Sequence, residues 1–213
     1  MQEAHAAHAD RQSSELSLPP SPSDPRRRLI EGMASALSDK GYVGATIADV
    51  VHHAGVSKRT FYEHFADKEE CFLACYVAMS EIASQALEHG AKSPARGCGK
   101  DPIRGATTAY VKLLESQPAL TQALLMGILA TGPSGLRMRR EVMARFAKTL
   151  RKLATRERRE KPKMRSLSAP MAMAIVGGVH ELTLLAIEQG RAGHLADVGH
   201  AAAELVRAVL LGT

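Results

Sequence analysis

TIADVVHHAGVSKRTFYEHFADK, residues 46–68, decides the fold of this 213-residue chain. Apolar residues recur at helical spacing over residues 47–54, and Thr46 precedes them where a helix N-cap belongs. Gly55 then interrupts the pattern, and Ser57 is placed to cap a second short helix. The stretch therefore predicts two short helices joined by a tight turn, which is a helix-turn-helix.

The second of these helices has an unusual composition. Phe61 and Phe65 share one side of it, which predicts that both rings pack in a core. The rest of its surface carries side chains that can donate hydrogen bonds to phosphates and base edges: Lys58, Arg59, Thr60, Tyr62 and His64. We therefore interpret it as a recognition helix that enters a DNA groove.

The net charge of +6 and the pI of about 9.4 are not the evidence for DNA binding. Residues 24–75 contain seven Lys/Arg and eight Asp/Glu, a net charge of −1. Residues 137–165 contain 13 Lys/Arg and three Asp/Glu, a net charge of +10. Because the positive charge lies away from the helix-turn-helix, the argument for DNA rests on donors placed on one short helix.

Composition bounds the class of protein. We expect no apolar run long enough to cross a bilayer, no signal peptide and therefore a cytoplasmic protein with no membrane partner. Three cysteines with no CxxC pair fit a reducing compartment and predict neither a metal site nor a cofactor. Because there is no nucleophile elbow, HExxH motif or phosphate loop, we expect no enzymatic activity.

The chain divides into three parts. Residues 1–23, rich in Ala, Ser, His and Pro, predict a disordered tail, residues 24–70 a helix-turn-helix DNA-binding domain, and residues 71–213 a helical regulatory and dimerisation domain. The pairs Asp24-Pro25 and Asp101-Pro102 each predict a helix start. No stretch predicts a strand, so the expected fold is all-α with about nine helices.

Residues 41–72, GYVGATIADVVHHAGVSKRTFYEHFADKEECF, closely resemble the N-terminal domain of the TetR family of bacterial transcriptional regulators. The motif similarity covers residues 26–80. It implies a three-helix DNA-binding domain, a fourth helix as connector, and a helical C-terminal domain that dimerises and binds a small ligand.

The resemblance also assigns expected roles to DNA-binding residues. It implies that Thr46 lies against a phosphate, and that Lys68 matches the lysine at the start of the fourth helix. The base readers are expected to be Lys58 and Arg59, the latter at a position that is often glycine in the family. The remaining expected DNA-binding residues are Ser57, Thr60, Tyr62 and His64.

Three features of the sequence each allow two interpretations. The arginines at 26–28 are either phosphate or minor-groove contacts or a solvated basic cluster. The basic block 137–165 is either a solvated helix face or a seat for an anionic effector such as the phosphates of an acyl-coenzyme A, which some members of the family bind. The pair at 180–181, His-Glu, is either a polar anchor in a ligand pocket or an interface pair. The candidates within the basic block are Arg151, Lys152, Arg156, Arg158 and Arg159.

The predicted function is a homodimeric, ligand-responsive repressor that binds a palindromic double-stranded DNA operator and is released by a small, mostly apolar molecule. The alternative is a small-molecule or protein-binding module that keeps the fold without binding an operator. The dimer is expected to form through apolar stripes on the last two helices: Val176, Val179, Leu182, Leu205, Val206 and Val209. Cys71 and Cys75, four residues apart on one helix, are expected to be buried rather than redox-sensing.

Overall fold

The computed structural model describes residues 24–92 and 101–211, and within these ranges every regular element is an α-helix. This confirms the predicted all-α class. The expected tail 1–23 and most of the loop expected before residue 101 lie outside the described residues. The helices are α1 Pro25–Gly44, α2 Ile47–Ala54, α3 Lys58–His64, α4 Lys68–Lys92, α5 Pro102–Ser116, α6 Pro118–Ala130, α7 Gly132–Glu160, α8 Ala169–Glu188 and α9 Ala196–Leu211.

The predicted helix starts are confirmed by their cap geometry. The side chain of Asp24 accepts a hydrogen bond from the Arg26 amide at 3.0 Å, and Asp101 accepts from the first amides of α5. The Asp67 carboxylate likewise accepts from the Glu70 amide at 2.8 Å at the start of α4. These side chains satisfy amides that have no partner inside a helix, which fixes where each helix begins.

The first helix changes direction at Gly41, which has φ of 66° and ψ of 177°. This left-handed φ is open to glycine at little cost, and it lets the chain make a further turn over residues 42–44 before α2. The turn brings the Tyr42 ring to 4.5 Å from the Phe72 ring, measured between centroids. It thereby ties the end of α1 to α4.

The core of the helix-turn-helix unit is formed by α1, α2, α3 and the first half of α4. Phe61 is 0% exposed and Phe65 is 2% exposed, as their shared side predicted. They lie in one cluster with other fully buried residues: Leu29, Met33, Val50, Cys71, Phe72 and Cys75. Burying such side chains stabilises the fold by roughly 1.5–3 kcal/mol each and holds α3 against α1.

The remaining helices form a second layer that packs directly on the first. A Cβ on Gly127 of α6 would lie 2.9 Å from the Cβ of Tyr42 and 3.0 Å from the Phe72 ring. Helix α6 therefore crosses α1 and α4 at a distance that only glycine allows. At the far end of α4, Gly90 makes a similar approach to Gly105 of α5.

The expectation that no apolar run is long enough to cross a bilayer is wrong. Among the described residues, Ala169–Glu188 is long and apolar enough to cross a bilayer by length and composition, with a mean hydropathy of 1.6 over its best window. The same helix contains His180, Glu181 and Glu188. Its buried Ala172 and Ile175 pack in a cluster with residues of α7 and α9, so core packing also accounts for its apolarity.

Candidate nucleic-acid interface and apolar cavity

Three hydroxyls in the expected DNA-binding set make hydrogen bonds within the helix-turn-helix. The Thr46 hydroxyl accepts from the Asp49 amide at 3.3 Å, and the Asp49 carboxylate accepts from the Thr46 amide at 2.9 Å, which completes a capping box. The Ser57 hydroxyl accepts from the Thr60 amide at 3.0 Å and lies 3.0 Å from the Thr60 hydroxyl. A hydrogen bond from Lys40, at 2.6 Å, holds the pKa of Asp49 well below its usual range.

The exposed donors of α3 are Lys58, Arg59 and Tyr62. The Arg59 side chain is 90% exposed and its Nε donates to the Glu63 carboxylate at 3.1 Å, while Tyr62 is 59% exposed. Lys58 and Tyr62 are one helical turn apart and Arg59 adjoins Lys58, so the three share one side of the helix. The Phe61 ring meets the Tyr62 ring edge-on at 5.5 Å and supports it from the core. His64, at the end of α3, is only partly exposed.

Lys68 has a role within the fold that its motif position did not predict. Its ammonium donates to the carbonyl oxygens of Tyr42 at 2.9 Å and Ala45 at 3.0 Å. It also lies 4.6 Å from the centroid of the Tyr42 ring. Because the two carbonyls belong to the turn that follows Gly41, Lys68 anchors the end of α1 to the start of α4.

The arginines at the start of α1 also contact the fold itself. The Arg26 guanidinium lies 5.2 Å from the centroid of the Phe65 ring, and the Arg28 Nη2 donates to the Gly55 carbonyl at 2.9 Å. Arg27 pairs with Glu31 at 2.8 Å. These contacts supply a stabilising interaction for cations that the dipole of α1 would otherwise disfavour. They link α1 to the turn and to α3.

A cavity of about 160 Å³ lies between α4 and the five helices that follow it. Its walls are almost entirely apolar, and they include Met79, Leu87, Val111, Leu124, Leu125, Val142, Met143, Phe146, Leu150, Ile175 and Val176. A neighbouring groove of about 660 Å³ shares Leu87, Thr107, Leu150 and Val206 with it. The volume of the cavity, about 160 Å³, is close to that of an engineered apolar cavity that binds one benzene molecule in another protein.

The ionisable side chains that line this cavity are Tyr76, Tyr110 and His180. The Nε2 of His180 accepts a hydrogen bond from the Nε of Arg139 at 3.2 Å. Burial, reinforced by Arg139, lowers the pKa of His180 to about 4, so the ring is neutral at pH 7. Burial raises the pKa of Tyr76 to about 12 and also raises that of Tyr110, so both phenols keep their protons.

The structure divides the predicted dimerisation stripe into two groups. Val176, Val179 and Val206 line the cavity, and Val209 packs against the buried cluster that contains Ile175 and Leu210. Leu182 and Leu205 are each 39% exposed. The periodicity that identified the stripe cannot separate a cavity wall from an outer surface, because both positions are apolar.

The basic block 137–165 is partly occupied by contacts within the chain. Arg151 and Arg158 donate to the carbonyl oxygens of Leu167 and Met164, which fastens the segment after α7. Lys152 pairs with Glu88 at 3.1 Å. Of the five expected anion ligands, Arg156 lines the groove beside the cavity.

The thiols of Cys71 and Cys75 are both completely buried. Burial raises the pKa of the Cys71 thiol to about 12 and also raises that of Cys75. A thiol reacts as its thiolate, so both groups are inert in the folded state. Their burial is as expected, because free cysteine is among the residue types most often buried.

A capped helix-turn-helix with exposed donors, packed on a helical layer that encloses an apolar cavity, defines a two-layer helix-turn-helix protein. Residues 29–75 match the family described as bacterial regulatory proteins, tetR family. The matched residues form the helix-turn-helix unit, which is therefore of the TetR-family type, as the motif between Gly41 and Phe72 indicated.

Curated relatives agree over part of their length. The chain is 33% identical over 87 residues to the HTH-type transcriptional repressor AcnR of Corynebacterium glutamicum, which covers 39% of this chain and 45% of that protein. It is 30% identical over 89 residues to the HTH-type transcriptional regulator TcmR of Streptomyces glaucescens, covering 42% of this chain and 37% of that protein. The chain thus spans less than half the length of these relatives.

Solved structures match the whole fold. The transcriptional regulator FadR from Bacillus subtilis, in complex with stearoyl-CoA, superposes with a TM-score of 0.68 at 15% identity. The match covers 86% of this chain and 98% of that chain. At this identity the likeness concerns the arrangement of all helices and not the ligand.

Proposed function

We propose that this chain is a DNA-binding transcriptional repressor that acts as a homodimer and is released from a palindromic operator by a small, mostly apolar molecule. One observation carries the proposal: Lys58, Arg59 and Tyr62 are exposed on one side of a capped helix whose adjoining side is fixed in a core by Phe61 and Phe65. A rigid helix with outward donors can place them against base edges with little loss of conformational freedom. The names of AcnR and TcmR support the same class of function.

The predicted DNA-binding residues have two kinds of role in this proposal. Lys58 and Arg59 read bases in the major groove, and Tyr62 contacts the backbone beside them. His64, at the end of α3, contributes a further backbone contact. The caps Thr46 and Ser57, together with Thr60, present helix N-termini to phosphates, where oriented amides favour negative charge.

Dimerisation is proposed to use the outer faces of α8 and α9. Leu182, Leu185 and Leu205 are 39%, 47% and 39% exposed, which is unusual for leucines on packed helices. A two-fold axis through these helices would bury the leucines of both copies against one another. The same axis would present the two α3 helices to successive major grooves, about 34–36 Å apart.

Release by a ligand is proposed to run through α4 and α6. Both helices line the cavity, through Tyr76 on α4 and Leu124 on α6. Both also contact the helix-turn-helix, where Gly127 of α6 touches Tyr42 and Phe72. A molecule that fits the cavity better when these helices are shifted would favour the shifted state, and it can do so only by this difference in affinity.

The proposal is tested by selecting bound fragments from a random DNA library and measuring their affinity by fluorescence anisotropy. We expect a palindromic sequence, and a loss of tenfold or more in affinity for it in Arg59→Ala, in line with about 1–3 kcal/mol per base contact. Arg137→Ala is the matched control, because Arg137 is exposed on α7 outside the helix-turn-helix. Failure to enrich any sequence, or equal losses in both variants, would contradict the proposal.

The second candidate is a ligand-binding module of the same fold that does not bind an operator. The cavity favours it, since an apolar chamber can bind a small molecule whether or not α3 contacts DNA. It also accords with a helix-turn-helix whose net charge is −1 over residues 24–75. Ligand binding in the absence of any enriched DNA sequence would select this alternative. In both candidates the chain is cytoplasmic and is not an enzyme.

A further inference from the structure

Two tyrosine hydroxyls on the cavity wall have no hydrogen-bond partner in the described part of the chain, whereas the hydroxyls of Ser80, Thr107 and Thr121 on the same wall donate to backbone carbonyls. Among the described residues, neither the Tyr76 nor the Tyr110 hydroxyl makes a hydrogen bond, although Tyr76 is only 5% exposed. Every polar side-chain atom that is completely sealed in this part of the chain has a partner. The two hydroxyls therefore border open space, and the space that both residues line is the cavity.

His180 adds a third donor to the same wall. Its Nε2 accepts from Arg139, so in the neutral ring the proton is on Nδ1. Within the described residues this Nδ1–H has no hydrogen-bond partner either. The neutral ring thus accepts from Arg139 through Nε2 and offers a donor at Nδ1. A protonated ring would instead repel the Arg139 guanidinium.

The charge beside this wall is positive. Arg139 lies behind His180 and forms no ion pair with a carboxylate in the part of the chain that the structure describes. Beside the larger effect of burial, Arg139 acts to lower the pKa of both Tyr76 and His180, and no acidic residue of the described ranges shifts the pKa of either group. A partly buried guanidinium without a counter-ion raises the affinity of the adjoining cavity for an anion.

We propose that the effector is a small aliphatic or aromatic carboxylate whose anionic head accepts hydrogen bonds from Tyr76, Tyr110 and His180 in the field of Arg139. This inference rests on the proposed function and deepens it by naming the class of effector. A carboxylate has only acceptors at neutral pH and can take several donors at once, which matches a wall of donors. The cavity volume of about 160 Å³ accommodates an apolar body of roughly the size of a benzene ring.

Isothermal titration calorimetry of the full chain with hexanoate and with hexanamide tests the charge preference directly. The two probes share their apolar body, and at pH 7.5 only hexanoate is anionic. We expect hexanoate to bind at least tenfold more tightly. Equal affinities, tighter binding of hexanamide, or no binding of either probe would overturn the inference without any variant being made.

Two variants then assign the preference to the proposed residues. Arg139→Gln should weaken hexanoate binding tenfold or more and change hexanamide binding by less than threefold, whereas Arg140→Gln, at the exposed next position of α7, should leave both unchanged. Tyr110→Phe, which removes one hydroxyl and keeps the ring, should weaken hexanoate binding threefold or more. An unchanged hexanoate affinity in both Arg139→Gln and Tyr110→Phe would overturn the assignment.

Failure of this inference is separate from failure of the proposed function. The calorimetry contains no DNA, so hexanoate binding by a chain that enriches no DNA sequence would retain the carboxylate site and reject the repressor. A chain that binds an operator but prefers neither probe would retain the repressor and reject the carboxylate.

Discussion

The ammonium of Lys68 donates to the Tyr42 carbonyl at 2.9 Å and lies 4.6 Å from the centroid of the ring of the same residue. One cation thus holds both the backbone and the side chain of the turn that ends α1. The Tyr42 ring in turn contacts Phe72 and the closely approaching α6. Lys68 therefore holds the residue through which the end of α1 contacts α4 and α6.

Replacement of Lys68 by Met should reduce the free energy of unfolding by about 1–3 kcal/mol, because two partly buried carbonyls lose a charged donor. Urea denaturation followed by circular dichroism measures this change. Lys58→Met is the matched control, since Lys58 is exposed on α3 and should shift stability by no more than about 0.5 kcal/mol. Equal stabilities of the two variants would show that the Lys68 hydrogen bonds contribute nothing to the fold.

The same pair of variants separates a structural role from a phosphate contact. If Lys68 contacts a phosphate, its replacement by Met should reduce the salt dependence of DNA affinity by about one unit of slope, whatever the sequence. If Lys68→Met loses stability but keeps its salt slope, its effect on DNA is indirect. A reduced slope together with unchanged stability would support the contact implied by the family resemblance.

Local features of the fold could be predicted from the sequence because each depends on neighbouring residues. Thr46, Ser57 and Asp24 cap helices through amides two or three positions away, and spacing alone identifies them. Phe61 and Phe65 are likewise one turn apart, which places both on one side.

The remaining features depend on residues distant in the sequence. The contact of Arg28 with Gly55 spans 27 positions, and that of Arg139 with His180 spans 41. Periodicity contains no information on which helices meet, so neither pair was predictable. A signal for the polar wall was present in Tyr76 and Tyr110, two tyrosines in apolar helices of a chain with only four tyrosines.

Arg59→Lys should test whether base reading depends on the guanidinium or on charge alone. Lysine keeps the positive charge but loses the planar fork that binds guanine through two hydrogen bonds. We expect the preference for the cognate base to fall by roughly 1–3 kcal/mol while the salt dependence stays unchanged. Affinity measured on single-base variants of the selected operator gives both quantities.

The control for that experiment is the residue that pairs with Arg59. Glu63→Gln removes the carboxylate at 3.1 Å and should free the guanidinium without altering its chemistry. We expect this variant to keep the base preference and to bind all sequences somewhat more tightly, because one negative charge near the DNA is lost. A base preference that survives in Arg59→Lys would exclude bidentate recognition by Arg59.

Gly127→Ala should weaken the packing of α6 on the helix-turn-helix. The added methyl would lie 2.9 Å from the Cβ of Tyr42 and 3.0 Å from the Phe72 ring, so the helices must separate. Overpacking of this kind costs about 1–3 kcal/mol. Thermal denaturation should show the loss, and Gly193→Ala, where nothing lies within 4 Å of an added methyl, is the control. A stability of Gly127→Ala equal to that of the unaltered chain would mean that the two layers are not tightly packed there.

The stability of the chain should fall as the pH is lowered from 7 towards 4 because of His180. Burial and Arg139 lower its folded-state pKa to about 4, whereas its unfolded-state pKa is near 6.5. Between these values the unfolded chain binds a proton that the folded chain does not, so the free energy of unfolding rises with pH in this window. The full difference amounts to at most about 3.5 kcal/mol.

His180→Gln keeps an acceptor for Arg139 but does not titrate. The part of the pH dependence of the unfolding free energy that is due to residue 180 should therefore vanish in this variant. Urea denaturation at pH 7, 6, 5 and 4.5 gives the slope for both proteins. If the unaltered chain and His180→Gln lost stability in parallel, His180 would not be the neutral, buried acceptor that Arg139 requires.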